Sequence, residues 1–130
     1  MATVLLVEDE DHVRVLAESY LEEQGHSILA VARPDGALAV LQSDQPVDVL
    51  FTDLNLREKV EGGLDLAQRA VELRPGLKVL YTTGWPVTNG TRARFVTGSA
   101  FLPKPYTVEQ LLTALSVHFR ISPQPRRTEF

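Results

Sequence analysis

A chain of 130 residues, 44% hydrophobic and 23% charged, is long enough for one domain with a real core and leaves no room for a second. A net charge of -4 argues against a direct nucleic-acid binder, which needs a basic face. With no cysteine there is no disulfide framework, zinc–thiolate site or thiol nucleophile. The first apolar run meets acid after about five residues, too short for a signal-peptide core or a membrane span. The composition reads as a cytoplasmic domain with no membrane contact.

Strand-like and helix-like segments alternate, the pattern of an α/β fold on a parallel sheet. The first strand is Val4-Leu5-Leu6-Val7, and Glu8-Asp9-Glu10-Asp11 follows it directly. Val13, Leu16, Ala17, Tyr20 and Leu21 recur at helical spacing, and Gly25 stops that helix. A second strand spans Ser27 to Ala32. Pro34 suits the first turn of a second helix, which runs to about Ser43. The third strand ends at Asp53. Leu56 to Gly63 reads as a polar loop, before a helix carrying Leu66, Ala67, Ala70 and Val71 and closed by Pro75-Gly76. The fourth strand covers about Lys78 to Thr82. Between Trp85 and Gly98 the Pro, Asn, Gly and Thr content predicts a weak helix at best. Ser99 to Leu102 is the fifth strand. Val108, Leu111, Leu112, Leu115 and Phe119 then give a clear apolar stripe on a final helix. Residues 1–120 form the domain, and 121–130, with two prolines and two arginines, read as a frayed tail.

Four of the strands stop on groups that a phosphoryl-transfer site uses. In a parallel sheet these groups leave at one edge, the edge where open α/β sheets bind ligands. Glu8 and Asp9 repel one another by about 1 kcal/mol at ~4 Å in water, which a divalent cation would relieve. All-oxygen ligation suits Mg²⁺, and Asp53 supplies a third carboxylate. Glu10 and Asp11 read instead as the acidic first turn of a helix. With Mg²⁺ beside it, Asp53 can attack a phosphorus centre and form an aspartyl phosphate. Thr83 offers a hydroxyl to a phosphoryl oxygen, Gly84 an unobstructed backbone N–H, and Lys104 a compact positive charge. Singly, each has an ordinary structural reading; their convergence carries the case. His12, His26 and His118 lack metal-ligand spacing and read as solvated or partly packed. Trp85, two residues past Thr83, flanks the site.

From Thr3 to about Phe119 the chain resembles a receiver domain of the bacterial two-component response regulators. The stretches that carry the resemblance are Val4-Leu5-Leu6-Val7-Glu8-Asp9-Glu10, Asp48 to Leu56 around Asp53, Val79-Leu80-Tyr81-Thr82-Thr83-Gly84, and Ala100-Phe101-Leu102-Pro103-Lys104-Pro105-Tyr106. The Thr83-Gly84-Trp85 run is similar to a Thr-Gly-aromatic subgroup with a poorly formed fourth helix. The resemblance implies a flavodoxin-like doubly wound fold, five parallel strands in the order 2-1-3-4-5 with about five helices. It implies Asp53 as the acceptor of a phosphoryl group from a histidine kinase or a histidine phosphotransfer protein, and a module that is not an enzyme toward outside substrates. Mg²⁺ would be held by Asp9 and Asp53, by Glu8 through water, and by the backbone carbonyl of Asn55. Thr83 and Phe101 match the switch pair and Lys104 the phosphate-binding lysine. Phe101 has no polar group, so burial alone is expected to favour its inward rotamer. A dimer formed on phosphorylation is among the assemblies the resemblance admits. A stand-alone regulator, a relay intermediate and a piece of a larger protein all fit it.

Two other chemistries fit less well. An aspartyl phosphatase of the Asp-x-Asp-x-Thr type needs a second acid where this chain has Asn55. A flavodoxin-type carrier needs a Ser/Thr/Gly loop where the acidic run Glu8 to Asp11 stands.

Overall fold

The computed structural model describes residues 2–56 and 62–121. The elements in chain order are β1 (Thr3–Val7), α1 (Asp11–Glu23), β2 (Ser27–Val31), α2 (Pro34–Gln42), β3 (Val49–Asp53) and α3 (Gly62–Leu73). They continue with β4 (Lys78–Thr83), α4 (Asn89–Ala93), β5 (Ala100–Pro103) and α5 (Val108–Thr113), which runs on as a π-helical turn, Ala114–His118. The strands pair in parallel in the order β2-β1-β3-β4-β5. The fold expected from the sequence is the fold observed.

Strands with several consecutive apolar residues need cover on both faces, and alternation sends successive side chains to opposite layers. Val4, Leu6, Phe51, Leu80 and Leu102 pack with Ala17 and Leu21 of α1 and Leu111 of α5. Leu5, Val7, Leu50, Val79 and Tyr81 pack on the other face with Ala37 and Leu41 of α2 and with Leu64, Ala67 and Ala70 of α3. Each fully buried leucine, such as Leu50, is worth about 2 kcal/mol relative to exposure.

Local signals set the element ends. Gly25 (φ 85°) stops α1, and Pro34 opens α2. Thr88 caps α4, accepting a bond from the Thr91 N–H at 3.1 Å. Thr107 and Gln110 form a reciprocal cap on α5. Strand bounds differ by a residue from expectation because pairing, not composition, decides them. Thr83 joins β4 and Pro103 joins β5, since these two are register partners. Pro103 is tolerated there because β5 is an edge strand. β2 stops at Val31, one residue short of Ala32.

Four expectations are corrected. Gly62 and Gly63 are not loop but the buried first residues of α3; the rest of that charged segment, 57–61, lies outside the described residues. One member of the α1 stripe is exposed: Leu16 is 50% accessible, while Ala17 and Leu21 are buried. His26 is buried, because its Nδ1 accepts the Ala2 backbone N–H at 3.1 Å between α1 and β2. Ile121 is not frayed: its N–H donates to the Leu115 carbonyl at 3.1 Å and its side chain packs on the α1/α5 layer. The remaining tail residues, 122–130, lie outside the description, as does the side chain of His118.

Candidate functional site

Parallel pairing delivers the ends of β1, β3, β4 and β5 to one edge, where a cleft of about 350 Å³ opens. Asp9, Asp53, Asn55, Thr83, Gly84, Trp85 and Lys104 line it. Glu8 lies just beneath, buried, with its backbone N–H still paired to Val31 across the β1–β2 ladder at 3.1 Å. Carboxylate oxygens of Glu8, Asp9 and Asp53 all fall within 4.8 Å of one another. The convergence read from the strand ends is present in full.

Lys104 is the centre of the charge arrangement. Its Nζ lies 2.6 Å from Asp53 Oδ2 and 2.6 Å from Glu8 Oε1. Burial disfavours its positive charge, but the bonds to Asp53 and Glu8 outweigh that and hold its pKa above the ordinary value. Burial raises the pKa of Asp53, against the lowering effect of Lys104 and of the Asn55 N–H, which donates to Asp53 Oδ1 at 3.0 Å. Glu8 is raised by burial as well, with Lys104 and the Glu10 N–H opposing. Tyr106, whose ring centroid is 5.9 Å from that of Phe51, is pushed up to about 12 by burial and then by the Glu8 charge.

Three carboxylates face one ammonium here, which leaves two negative charges for a divalent cation to balance. At an effective dielectric of ~20, each unrelieved carboxylate pair at this spacing costs about 3 kcal/mol. The donors are all oxygen, as hard cations require. This set fits Mg²⁺.

The two threonines that end β4 part company. Thr83 lines the cleft, whereas the Thr82 hydroxyl is buried with no hydrogen-bond partner among the described residues. The Thr83 hydroxyl accepts bonds from Asn55 Nδ2 and from the Trp85 backbone N–H, each at 3.2 Å. Gly84 is exposed, and a Cβ there would meet only the Lys104 Cβ at 3.9 Å. The glycine therefore widens the cleft rather than relieving a clash. Trp85 lines the cleft while remaining 63% accessible.

Phe101 pairs with Tyr81 in register and lies beside Phe95, the two centroids 6.1 Å apart. Phe95 stacks on Tyr81 at 4.4 Å, and the Tyr81 hydroxyl accepts the Val96 N–H at 3.1 Å. The Arg92 guanidinium stands 5.4 Å above the Phe101 ring. The expectation that burial alone governs Phe101 is thus incomplete, since a surface cation–π contact adds about 0.5–1 kcal/mol.

Sequence reasoning missed two contacts. The Asn55 side chain reaches Thr83, although only its backbone had been assigned a role. Gly63 lies so close to β3 that a Cβ would fall 1.9 Å from the Asp53 carbonyl oxygen. The doubled glycine at 62–63 was the available signal.

The sequence profile described as response regulator receiver domain matches residues 4–116. The chain is similar to the sensor kinase CckA of Brucella abortus (strain 2308), 31% identical over 118 residues, which are 88% of this chain and 12% of CckA. It is also similar to the response regulator receiver protein CpdR of the same organism, 33% identical over 85 residues, 65% of this chain and 68% of CpdR. Among solved structures, a response regulator receiver protein from Sinorhizobium medicae WSM419 superposes with a TM-score of 0.82 at 29% identity, covering 92% of this chain and 94% of that one. A response regulator from Burkholderia pseudomallei, solved with a phosphorylated aspartic acid, calcium ion and citrate, gives 0.77 at 26% identity over 88% of this chain and 66% of that one. A profile match across nearly all of the strands and helices, on this sheet order, has one meaning: the chain belongs to the response regulator receiver domain family of two-component systems.

Proposed function

We propose that Asp53 accepts a phosphoryl group from a phosphohistidine on a histidine kinase or phosphotransfer partner, and that the acyl phosphate switches binding of a downstream protein. The observation that carries this reading is the double contact of Lys104 Nζ, 2.6 Å from both Asp53 and Glu8, inside a three-carboxylate cluster. An Asp53 carboxylate oxygen attacks phosphorus, the P–N bond breaks, and its electron pair returns to the imidazole nitrogen. Lys104 stays protonated throughout and offers its charge to a phosphoryl oxygen as Asp53 changes from carboxylate to acyl phosphate. Thr83 and the Gly84 N–H serve the other oxygens. Asp9, Asp53 and the Asn55 carbonyl, with Glu8 behind them, are the residues that would hold Mg²⁺. When bound, that ion neutralises charge between carboxylates and phosphoryl oxygens.

A donor must also dock. A second, mainly apolar cleft of about 450 Å³ lies between α1 and the segment after β5, lined by Val13, Leu16, Ala17, Tyr20, Pro105 and Tyr106. It shares Gly84 and Lys104 with the first cleft. A partner helix seated on the exposed Leu16 side would bring its histidine to Asp53. The chemistry ends on the protein's own side chain, within residues 1–120, so this is a self-modifying signalling unit rather than an enzyme. Among the described residues no helix is long and apolar enough to cross a membrane.

Intact mass tests the reading. A small acyl-phosphate donor with Mg²⁺ should add one phosphoryl mass, and Asp53→Asn or EDTA should abolish the gain. Undiminished labelling of Asp53→Asn would remove the assignment.

A further inference from the structure

A threonine hydroxyl has two acceptor positions and one proton to give. At Thr83 both acceptor positions are filled, by Asn55 Nδ2 and by the Trp85 backbone N–H, each at 3.2 Å. The residue is 3% accessible, so water has little room to replace either donor. With Cβ and the two donors fixed, a tetrahedral oxygen has one direction left for its O–H. Asn55 is also tied to the phosphoacceptor, because its own backbone N–H donates to Asp53 Oδ1 at 3.0 Å. One residue therefore touches both the attacking carboxylate and the hydroxyl across the cleft from it.

We propose that Asn55 is a positioning residue for Thr83: its carboxamide, together with the Trp85 backbone, presets the hydroxyl so that the proton faces the phosphoryl position beside Asp53. This rests on the phosphoacceptor reading and assigns to the Asn55 side chain a task separate from any role of its backbone carbonyl. A hydroxyl without these donors would share its proton among three staggered directions and would have to be ordered when the phosphoryl group arrives. Ala or Ser at position 55 cannot span the distance, so either substitution removes one of the two donors and gives the proton a second direction, while leaving the Trp85 and Asp53 backbone contacts in place.

The test is a mutant cycle read by equilibrium binding of beryllofluoride, a tetrahedral stand-in for the phosphoryl group, in the presence of Mg²⁺. The fluorescence of Trp85, the only tryptophan in the chain, reports binding at the cleft that it lines. Asn55→Ala should weaken binding about twofold in the native background, because the proton then divides between two directions instead of holding one. The same loss should appear in a Thr83→Ser background, which keeps the hydroxyl, and vanish in Thr83→Ala, which does not. Asn55→Ser must reproduce Asn55→Ala throughout. An equal loss in all three backgrounds, or no loss in any, overturns the proposal and leaves the phosphoacceptor reading standing. Should the native protein neither bind beryllofluoride nor gain a phosphoryl mass from a small donor, the phosphoacceptor reading falls and this one with it.

Discussion

Gly63→Ala isolates what holds Asp53 in place. On propensity alone the change should help, since alanine is favoured over glycine inside a helix by about 1 kcal/mol. The structure reverses the sign. A Cβ on Gly63 would stand 1.9 Å from the Asp53 carbonyl oxygen, 2.8 Å from its carbonyl carbon and 2.9 Å from Leu54 Cα. All three are backbone atoms at the end of a central strand, which no rotamer change can move. The first residues of α3 must retreat by about 1 Å, stretching the Gly63 N–H to Leu54 carbonyl bond, now 2.9 Å. Overpacking of this kind costs about 1–3 kcal/mol, and rigid neighbours place it at the upper end. At ~4 °C per kcal/mol for a domain of this size, the melting temperature should fall by about 12 °C. Any part of the clash that the end of β3 takes up instead moves the phosphoacceptor, and a 1 Å misplacement can cost about 10²-fold in rate. Thermal melting by circular dichroism and phosphoryl uptake by intact mass should therefore decline together. Gly36→Ala supplies the control: within α2 its Cβ would meet Val31 Cβ at an ordinary 3.4 Å, so that variant should gain up to about 1 kcal/mol. A Gly63→Ala protein that melts at or above the native temperature would refute the close approach and the reasoning built on it.

Three further outcomes are expected. The Trp85 ring borders the cleft, and Trp85→Ala should shorten the lifetime of phosphorylated Asp53 by opening a path for water; an unchanged or longer lifetime by mass spectrometry would mean that the ring does no shielding. Segment 86–98 has a five-residue helix with no buried side chain and is held mainly at its end, by Arg94 to Asp65 at 2.8 Å and Val96 to Tyr81 at 3.1 Å. Its amides should exchange fast at rest and slow when beryllofluoride is bound, and strong protection at rest would remove α4 as the element that phosphorylation orders. Burial lowers the pKa of His26 below 6.5, so between the folded and unfolded values the unfolded chain binds more protons and stability rises with pH. That contribution is present above about pH 6.5 and is lost as pH falls through the folded value. Denaturant titrations should show native protein losing more stability from pH 7 to pH 5 than His26→Gln, and equal losses would show that the imidazole does not titrate differently on folding.

The architecture was legible because each central strand carries an unbroken apolar run, Val4 to Val7, Val49 to Phe51 and Val79 to Tyr81, and only a sheet covered on both faces can bury such runs. Strand ends were legible for the same reason: the first polar group after Val7, Thr52 or Leu102–Pro103 has to emerge at the same edge. Gly25 and Pro34 announced their turns through local backbone preference, which needs no tertiary partner. Other features depended on distance in space, to which sequence spacing is blind. The Leu16 stripe is exposed because α1 meets the sheet through Ala17 and Leu21. His26 is buried because the chain start crosses over it, and Ile121 is docked because the end of α5 delivers it to the core.

The candidate site divides along the same line. Residue order by itself determined that Glu8, Asp9, Asp53, Thr83 and Lys104 share one edge, because a parallel sheet maps strand ends to a single place whatever the packing. Only the tertiary structure decided that the Thr82 hydroxyl is buried with no partner among the described residues, that Lys104 bridges Asp53 and Glu8, and that Asn55 reaches the Thr83 hydroxyl. The last two are contacts of 2.6–3.2 Å between residues 28 to 96 positions apart, fixed by sheet twist and side-chain rotamers that no local pattern encodes.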